Sequence, residues 1–551
     1  MSRRGAFLGV LALALAYVVW TAWVLRVPAD ASHTFPDGVL YRFQAKAIAA
    51  GHLVAPAPPV PESFRFLPWL RIERGHWVGA SYPGFSLALA PGELLHVEWL
   101  VNPILSGLLL LATFALGRRA GGDAVGVGAA LLLACAPIQL RLTTTYLTHV
   151  FAALLLATTA LLLTSRSDRP GLRGVLSGLC LGWALASPRA YSVVWVAGAL
   201  ALGLLPFARG SHRRPALLAG LATGLLPWLA FVAYWNHTIT GSAFTSPYAL
   251  WWRQDFQIGF VDLPHSRAIG GGRVVDRFTP EVAWIATRRL LAMVPGALLP
   301  WPSAIATPTA VAAAVAAIVL RRRAVVWIGP FLALVAGYFI YPGILGPAAW
   351  LLGPRFYYEA FPALAVLLAM PLAWLWRGGR VGRIVSGGTL ALVAGAFLVG
   401  AAPDHVRAVR AAHSNPLTDS TRILERFLAS LPRERRLVFV DVSTYQLASA
   451  AVVGNPDLSG DSVVAIYREP ELNARLAAHF PDRTLWLFRW DGAAAAPRLA
   501  PYDPATDQEG PPDRFPYDRR RLGGSRRAAG RDPPGNLGPP EAAPAGKATA
   551  E

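Results

Sequence analysis

Clusters of arginine separate the apolar stretches of this chain, and one cluster occurs at every second gap between them. The other gaps carry carboxylates, histidines and aromatic residues. Short loops rich in arginine stay on the cytoplasmic side during membrane insertion, so this alternation predicts a chain that crosses a bilayer many times. The clusters are Arg3-Arg4, Arg118-Arg119, Arg166/Arg169/Arg173, Arg209/Arg213/Arg214, Arg321-Arg322-Arg323 and Arg377/Arg380/Arg383.

The composition favours a membrane protein over a nucleic-acid-binding one. Of the 551 residues, 54% are hydrophobic and 15% are charged, and long apolar runs predict spans of about 20 residues each. The net charge of +19 comes mostly from short loops and the tail, without a basic helix between aromatic residues. We therefore predict a lipid bilayer and no nucleic acid as partner. Cys135 and Cys180 lie in apolar runs and suggest neither a disulfide framework nor a metal cluster.

Counting the apolar runs predicts roughly eleven spans. The first run, residues 6–25, follows an arginine pair and lacks a small-residue cleavage site, so we interpret it as an uncleaved span with a cytoplasmic amino terminus. With an odd number of spans, the segment after the last span lies outside. The stretch 174–205 is interrupted at Ser187-Pro188-Arg189, which predicts two short spans that meet at the outer face.

The remainder of the chain predicts a small soluble domain and a tail. Residues 437–442, 463–467 and 484–488 have strand patterns, and 422–431 and 471–480 have helical spacing. The fold class we predict is an all-α polytopic membrane protein with a small C-terminal α/β domain outside the cell. The predicted boundaries are 1–402 for the membrane domain, 403–500 for the α/β domain and 501–551 for a disordered Pro/Gly/Ala/Arg-rich tail.

The first outer segment contains a candidate acid–base residue. Asp37 begins a helical pattern that Gly51 ends, and one role for it is helix N-cap. The other role is a carboxylate beside the first span that takes a proton from an acceptor hydroxyl. The two roles can coexist.

Other outer residues have two interpretations each. Tyr82 is either an interfacial anchor or a platform for a sugar ring. His149 is either an interfacial polar residue or a hydrogen-bond partner or ligand beside Asp37. A metal site would need more ligands than one Asp and one His, so we predict no metal or other cofactor, with a divalent cation as the alternative.

Two arginines occur at the depth where lipid phosphates lie. Arg189 lies between two short spans, and Arg355 opens the tenth predicted span. Guanidinium groups suit bidentate phosphate contacts. The alternatives for Arg355 are ordinary snorkelling or an ion pair with Glu359 one helical turn away.

These motifs together resemble a known class of membrane enzymes. The sequence is similar to the GT-C integral-membrane glycosyltransferases, in particular to bacterial relatives of the protein O-mannosyltransferases and of the aminoarabinose transferases of lipid A. The resemblance covers about residues 1–400, and the order of the motifs carries it. They are Asp37 with Tyr41 and Phe43-Gln44-Ala45-Lys46, Trp77 with Tyr82-Pro83-Gly84, Trp99 to Pro103, Tyr146-Leu147-Thr148-His149, Ser187-Pro188-Arg189, Trp235-Asn236 with Gly241-Ser242, and Gly353 to Glu359.

The resemblance implies an enzyme that moves a sugar from a polyprenyl-phosphate-linked donor to an acceptor hydroxyl on the outer membrane face, with inversion. It implies an unidentified acceptor and Asp37 as the catalytic base. The leaving lipid phosphate needs cationic partners, and for these we predict Arg189 and Arg355, with Lys46 as a third. The remaining residues that we predict to bind substrate are Tyr41, Tyr82, His149, Tyr357 and Glu359. Two positions depart from the pattern, because Gly38 and His149 occupy places that are often acidic.

Two other classes remain open. A multi-span transporter or lipid-sugar flippase would also need many spans and an arginine beside a broken helix pair. A noncatalytic scaffold would leave Asp37 as a helix cap only. We expect a glycosyltransferase in the inner (plasma) membrane, with its active site and C-terminal domain on the extracytoplasmic side.

Overall fold

The protein is mostly helical, with strands within residues 55–79, 262–277 and 436–509. The computed structural model describes residues 2–27, 36–66, 70–165, 168–204, 214–251, 258–269, 273–321, 324–345, 352–413, 420–431, 434–442, 450, 452–490 and 497–510. The predicted tail beyond 510 lies outside the described residues, as do parts of three predicted arginine clusters.

The described residues form seventeen α-helices before the C-terminal domain. Their bounds are α1 Arg3–Arg26, α2 Pro36–Ala49, α3 Gly84–Leu94, α4 Val101–Gly121, α5 Asp123–Ala134, α6 Pro137–Thr143, α7 His149–Thr164, α8 Pro170–Leu185, α9 Ala190–Leu204, α10 Arg214–Thr240, α11 Pro247–Trp251, α12 Pro280–Leu298, α13 Ser303–Leu320, α14 Val325–Phe339, α15 Phe361–Arg377, α16 Arg380–Ala396 and α17 Ala402–His413.

This chain is a multi-pass membrane protein. Within the described ranges, six helices are long and apolar enough to cross a membrane, or seven if the bent pair α5–α6 forms one span. Three shorter apolar helices, α7, α9 and α14, accompany them. The predicted total of about eleven spans stays a prediction, because several predicted spans correspond to helices shorter than a typical bilayer crossing.

Glycines allow two of these helices to approach each other closely. A Cβ atom at Gly174 in α8 would lie 2.2 Å from the Leu217 carbonyl oxygen of α10, and one at Gly224 would lie 2.0 Å from the Val175 carbonyl oxygen. Small residues at such interfaces let helix backbones pack in contact within a membrane. The α8–α10 pair therefore depends on the absence of side chains at these positions.

The segment after α1, which the sequence predicts to lie outside, combines α2 with a small antiparallel sheet. Its strands are β1 Ala55–Pro56, β2 Leu70–Glu73 and β3 His76–Gly79, in the order β1-β3-β2. Arg74 and Gly75 form the two-residue turn between β2 and β3, and both have positive φ, as tight hairpins with a type I′ turn require. A further hairpin, β4 Asp262–Ala268 and β5 Val274–Arg277, follows α11.

The C-terminal region forms the predicted α/β unit. Two helices, α18 (Ser420–Ser430) and α19 (Pro470–Ala478), accompany a five-stranded sheet. β6 pairs in parallel with both β7 and β8, as strand–helix alternation predicts. Antiparallel strands continue the sheet past the predicted boundary at residue 500, to Glu509, and the domain boundaries stay a prediction. The strands are β6 Arg436–Val442, β7 Ser462–Ile466, β8 Thr484–Trp490, β9 Arg498–Asp503 and β10 Gln508–Glu509.

Candidate functional site

The structure pairs the candidate acid of the outer segment with an arginine more than 300 residues away. Asp37 lies in the first turn of α2, after Pro36, so it is inside the helix rather than at the N-cap that we considered. Arg355 begins the 3₁₀ helix Arg355–Ala360 in front of α15. Its Nη2 donates to Asp37 Oδ2 at 3.2 Å, and the Asp37 side chain is 40% exposed whereas that of Arg355 is 5% exposed. Solvent or a substrate can thus reach a carboxylate that a buried cation holds.

A second, fully buried cluster contains Arg189, Glu359 and His149. Arg189 donates through Nε and Nη2 to the two Glu359 carboxylate oxygens at 2.6 and 3.0 Å. His149 Nδ1 lies 3.2 Å from Glu359 Oε1. Buried charges are stable only when paired, and this two-point contact neutralises Arg189. The alternative pairing of Arg355 with Glu359 is wrong, because a 3₁₀ helix has three residues per turn and does not align positions four apart.

One aromatic ring connects the two clusters. The guanidinium carbons of Arg189 and Arg355 lie 5.2 and 5.5 Å from the centroid of Phe356, within the range of cation–π attraction. The Tyr338 ring stacks on Phe356 at 4.9 Å, and its hydroxyl shares a 2.6 Å hydrogen bond with Ser192. The two predicted arginines therefore belong to a single site.

Arg355 has one donor group without an acceptor in the part of the chain that the structure describes. Its Nε is buried and has no hydrogen-bond acceptor among the described residues. Most buried polar groups in native proteins are hydrogen-bonded, since an unpaired donor costs about 1–3 kcal/mol. An anionic ligand that reaches Arg355 would satisfy this group.

Tyr41 lies one helical turn after Asp37 and therefore on the same face of α2. Its ring is buried and meets Phe85 edge-on at 5.8 Å. Burial, and then the negative charge of Asp37, raise the pKa of the Tyr41 phenol. The hydroxyl consequently stays protonated even well above neutral pH and can act as a donor beside the acid.

The two positions that depart from the family pattern have structural explanations. A Cβ atom at Gly38 would lie 3.1 Å from the Tyr146 Cβ, so any side chain there would require the two residues to move apart by a few tenths of an ångström. At the second position, His149 binds Glu359 instead of standing next to Asp37. The additional carboxylate of this site is thus supplied by Glu359.

Three further residues that we predicted for the site lie outside both clusters, namely Lys46, Tyr82 and Tyr357. Lys46 is nine residues after Asp37, about 13.5 Å along the helix and on its opposite face, and its Nζ donates to the Val452 carbonyl of the C-terminal domain. Burial, and then the charge of Arg42, lower the pKa of Lys46. Tyr82 packs against the core formed by Val78, Trp235 and Ile239.

Tyr357 is buried between other aromatic residues. Its ring meets Phe331 edge-on at 5.7 Å and Tyr338 at 6.1 Å. Tyr338 itself lies under the Arg189 guanidinium, 5.9 Å from its ring centroid. Tyr357 therefore packs against Tyr338, which in turn contacts Arg189. Its contacts are with these aromatic rings rather than with Asp37.

Three contributors to the site were not predicted. Phe356 and Tyr338 surround the arginines, and Arg42 binds both Glu93 and Glu98, the latter at 2.9 Å. The Arg42 contacts tie α2 to α3 and to the segment before α4, which holds the helix that carries Asp37. Phe356 follows Arg355 in the sequence motif, and this adjacency could have identified it as a site residue. The partners of Arg42 are more than 50 residues distant and leave no local pattern.

Across the described ranges, no group of three or more His, Cys, Asp or Glu side chains could hold a metal ion. The expectation of no cofactor stays a prediction.

No family model matches the chain, and no curated protein sequence matches it. Among solved structures, ArnT from Cupriavidus metallidurans bound to undecaprenyl phosphate is similar at a TM-score of 0.48 and 14% identity, over 88% of this chain and 94% of that one. The Archaeoglobus fulgidus oligosaccharyltransferase in its apo form is similar at 0.40 and 15% identity, over 88% and 69%.

A further similarity is to the archaeal oligosaccharyltransferase AglB from Archaeoglobus fulgidus, in complex with an inhibitory peptide and a dolichol-phosphate. Its TM-score is 0.42 at 12% identity, over 86% of this chain and 69% of that one. ArnT and AglB are GT-C glycosyltransferases, the class that the sequence motifs resemble. With TM-scores below 0.5, these likenesses decide nothing about the chemistry of this chain.

Proposed function

We propose that this protein is a membrane glycosyltransferase that moves a sugar from a polyprenyl-phosphate-linked donor to an acceptor hydroxyl. The observation that carries the proposal is the pair formed by a solvent-reachable carboxylate, Asp37, and a buried guanidinium, Arg355, 3.2 Å apart. A glycosyl transfer of this kind needs a base for the acceptor and a cation for the leaving phosphate. Asp37 supplies the base and Arg355 supplies the cation, and the two side chains lie next to each other.

The proposed step is a single displacement at the anomeric carbon. Asp37 accepts the proton of the acceptor hydroxyl while the hydroxyl oxygen of the acceptor forms the new bond to that carbon. The bond between the anomeric carbon and the phosphate oxygen breaks, and its electron pair leaves with the polyprenyl phosphate. Attack opposite the leaving group inverts the configuration of the sugar.

Arg355 is the proposed principal contact to the leaving phosphate. Its unpaired Nε and its charge can stabilise the negative charge that develops on the phosphate, and guanidinium suits phosphate oxygens. Arg189 has a smaller electrostatic role, because Glu359 largely cancels its charge. We propose that Arg189 fixes the Phe356 ring and offers a secondary contact, with Tyr41 as a donor beside the acid.

We propose that the site and the C-terminal domain lie on the extracytoplasmic side of the plasma membrane. The arginine clusters support this orientation, because they mark the opposite, cytoplasmic loops. The location also suits a donor whose lipid tail remains in the bilayer and whose sugar reaches the aqueous face. The acceptor can be any molecule that presents a hydroxyl there.

A transporter or flippase would also use buried charged residues between membrane helices. The experiment that separates the classes measures release of polyprenyl phosphate by the purified full-length protein from a panel of undecaprenyl-phosphate-linked sugars, with and without an alcohol acceptor. We expect release only when acceptor is present, together with an inverted glycoside. Donor that binds saturably and crosses proteoliposomes intact, without release, would instead identify a flippase.

A further inference from the structure

A small cavity lies at the end of α15 that is remote from the candidate site. Glu359 precedes α15, and Arg377 is its last residue, so the two ends are about 25 Å apart along the helix. The cavity has a volume of about 50 Å³, which accommodates a few water-sized groups. Its lining comes from α4, α5, α13 and α15 and consists of Gly121, Val125, Ala317, Leu320, Arg321, Met370, Trp374 and Arg377.

Two arginines are held side by side at this cavity. Arg321 Nη1 donates to the Ala120 carbonyl at 3.1 Å, and Arg377 Nη2 donates to the Gly121 carbonyl at 2.5 Å. Consecutive residues are only 3.8 Å apart between Cα atoms, so the carbonyl groups at the end of α4 position both guanidiniums together. Each arginine uses one guanidinium N–H group in this contact and has further N–H donors, and both side chains are exposed.

No carboxylate pairs with either arginine in the part of the chain that the structure describes. The acid on the adjacent turn, Asp123, lies 3.9 Å from Arg118 instead. The other lining residues are apolar. The cavity therefore combines two adjacent positive charges with an apolar wall, which is complementary to a phosphate that carries acyl chains.

The surroundings of the cavity extend the apolar wall along the bilayer. Leu320 lines the cavity and is 38% exposed, and Val315 and Val319 on the same helix α13 are exposed as well. Trp374, also in the lining, is more than half exposed, which is typical of tryptophan at a membrane interface. Basic pockets between membrane helices bind the headgroups of anionic lipids.

We propose that Arg321 and Arg377 form a binding site for the phosphate of an anionic glycerophospholipid, at the membrane face opposite the Asp37–Arg355 pair. The acyl chains lie along the exposed apolar face of α13. The bound phosphate connects the ends of α4, α13 and α15, so it stabilises the packing of these helices. This site is independent of the proposed transfer reaction.

The test measures lipid binding to the purified full-length protein by native mass spectrometry and by thermal unfolding, with phosphatidylglycerol, phosphatidylcholine or inorganic phosphate. We expect phosphatidylglycerol to bind and raise the unfolding temperature, and the other two to have little effect. Equal binding of phosphatidylcholine would overturn the proposal. Inorganic phosphate that fully reproduces the stabilisation would identify an ion site and overturn the lipid assignment.

The double variant Arg321→Gln/Arg377→Gln should bind phosphatidylglycerol about thirtyfold more weakly, since each of the two basic residues near a membrane surface contributes about 1 kcal/mol. The matched control Arg380→Gln/Arg383→Gln removes the same charge from α16 and should change binding far less. An equal loss in both variants would show general surface attraction and overturn the site. If the double variant fails to fold, the single Arg321→Gln protein provides the same comparison against Arg380→Gln.

Discussion

The candidate site contains two ion pairs, one between Asp37 and Arg355 and one between Arg189 and Glu359. Asp37, Arg189 and Arg355 are candidates because of their residue types and their places between apolar runs. Glu359 binds Arg189 rather than Arg355 because residues 355–360 form a 3₁₀ helix. The sequence prediction considered Arg355 as the partner of Glu359 because it assumed an α-helix. The observed partner, Arg189, is 170 residues away, so local spacing could not identify it.

The unpaired donor of Arg355 leads to a prediction for donor affinity. Arg355→Ala should weaken binding of a polyprenyl-phosphate sugar more than Arg355→Lys, because lysine retains the positive charge and loses only the planar pair of donors. Titration of a fluorescent donor against the purified proteins measures the dissociation constants. Equal affinities in the native protein and both variants would exclude a phosphate contact at Arg355.

The buried Arg189–Glu359 pair leads to a prediction for stability. Glu359→Gln leaves the Arg189 charge without its counterion, which costs about 3–5 kcal/mol when a buried pair is broken. Thermal unfolding in detergent should show a clear decrease in unfolding temperature. The control is Glu281→Gln, whose exposed pair with Arg273 contributes about 0–1 kcal/mol. Similar decreases in the two variants would contradict the assigned role of the buried pair.

At the scale of helices and strands, hydrophobic patterns predict where an element lies and whether it is a helix or a strand. They predict less well which elements pair with each other. The break at Ser187-Pro188-Arg189 is confirmed, because α8 ends at Leu185 and α9 begins at Ala190. The first three strands of the C-terminal sheet are confirmed as well. β9 was missed because it contains Pro501, and proline is unusual inside strands. The β2–β3 hairpin was missed because its Arg74-Gly75 turn is not among the common turn sequences.

The close approach of α8 and α10 can be tested with one methyl group. Gly224→Ala would place a Cβ atom 2.0 Å from the Val175 carbonyl oxygen, and the backbone cannot move aside without separating the helices. We expect a loss of about 1–3 kcal/mol, as overpacking costs, measured by thermal unfolding. Gly198→Ala in α9 is the control, since no atom lies within 4 Å of its added Cβ. Unfolding temperatures that do not differ between these variants would contradict the predicted packing.

At the scale of the whole molecule, the arginine alternation predicts membrane orientation, which composition alone leaves open. The orientation can be measured with a membrane-impermeant thiol reagent. Ser459→Cys, on the exposed surface of the C-terminal domain, should react in intact cells, whereas Ser2→Cys should react only after permeabilisation. The unchanged chain, with Cys135 buried and Cys180 half-buried, gives the background. Labelling with the opposite sidedness would invert the topology and place the site in the cytoplasm.

The sequence also predicts that the C-terminal domain lies on the same side of the membrane as Asp37. Two contacts join this domain to the segment between α1 and α3. Lys46 of α2 donates to Val452, and Arg468 donates through Nε to the Glu62 carbonyl at 3.1 Å. These long-range contacts could not be predicted, because the partners are about 400 residues apart and carry no shared motif. We propose that the domain holds the outer segment in position over the site.

The central claim is that Asp37 removes the acceptor proton during sugar transfer. The most direct measurement compares single-turnover rate and donor dissociation constant for the native protein, Asp37→Asn and the control Asp123→Asn. We predict that Asp37→Asn lowers the rate by about 10²–10⁴-fold while donor affinity is retained or increased, because Arg355 loses its carboxylate partner. Asp123→Asn should behave like the native protein. An undiminished rate in the Asp37→Asn protein would contradict the account.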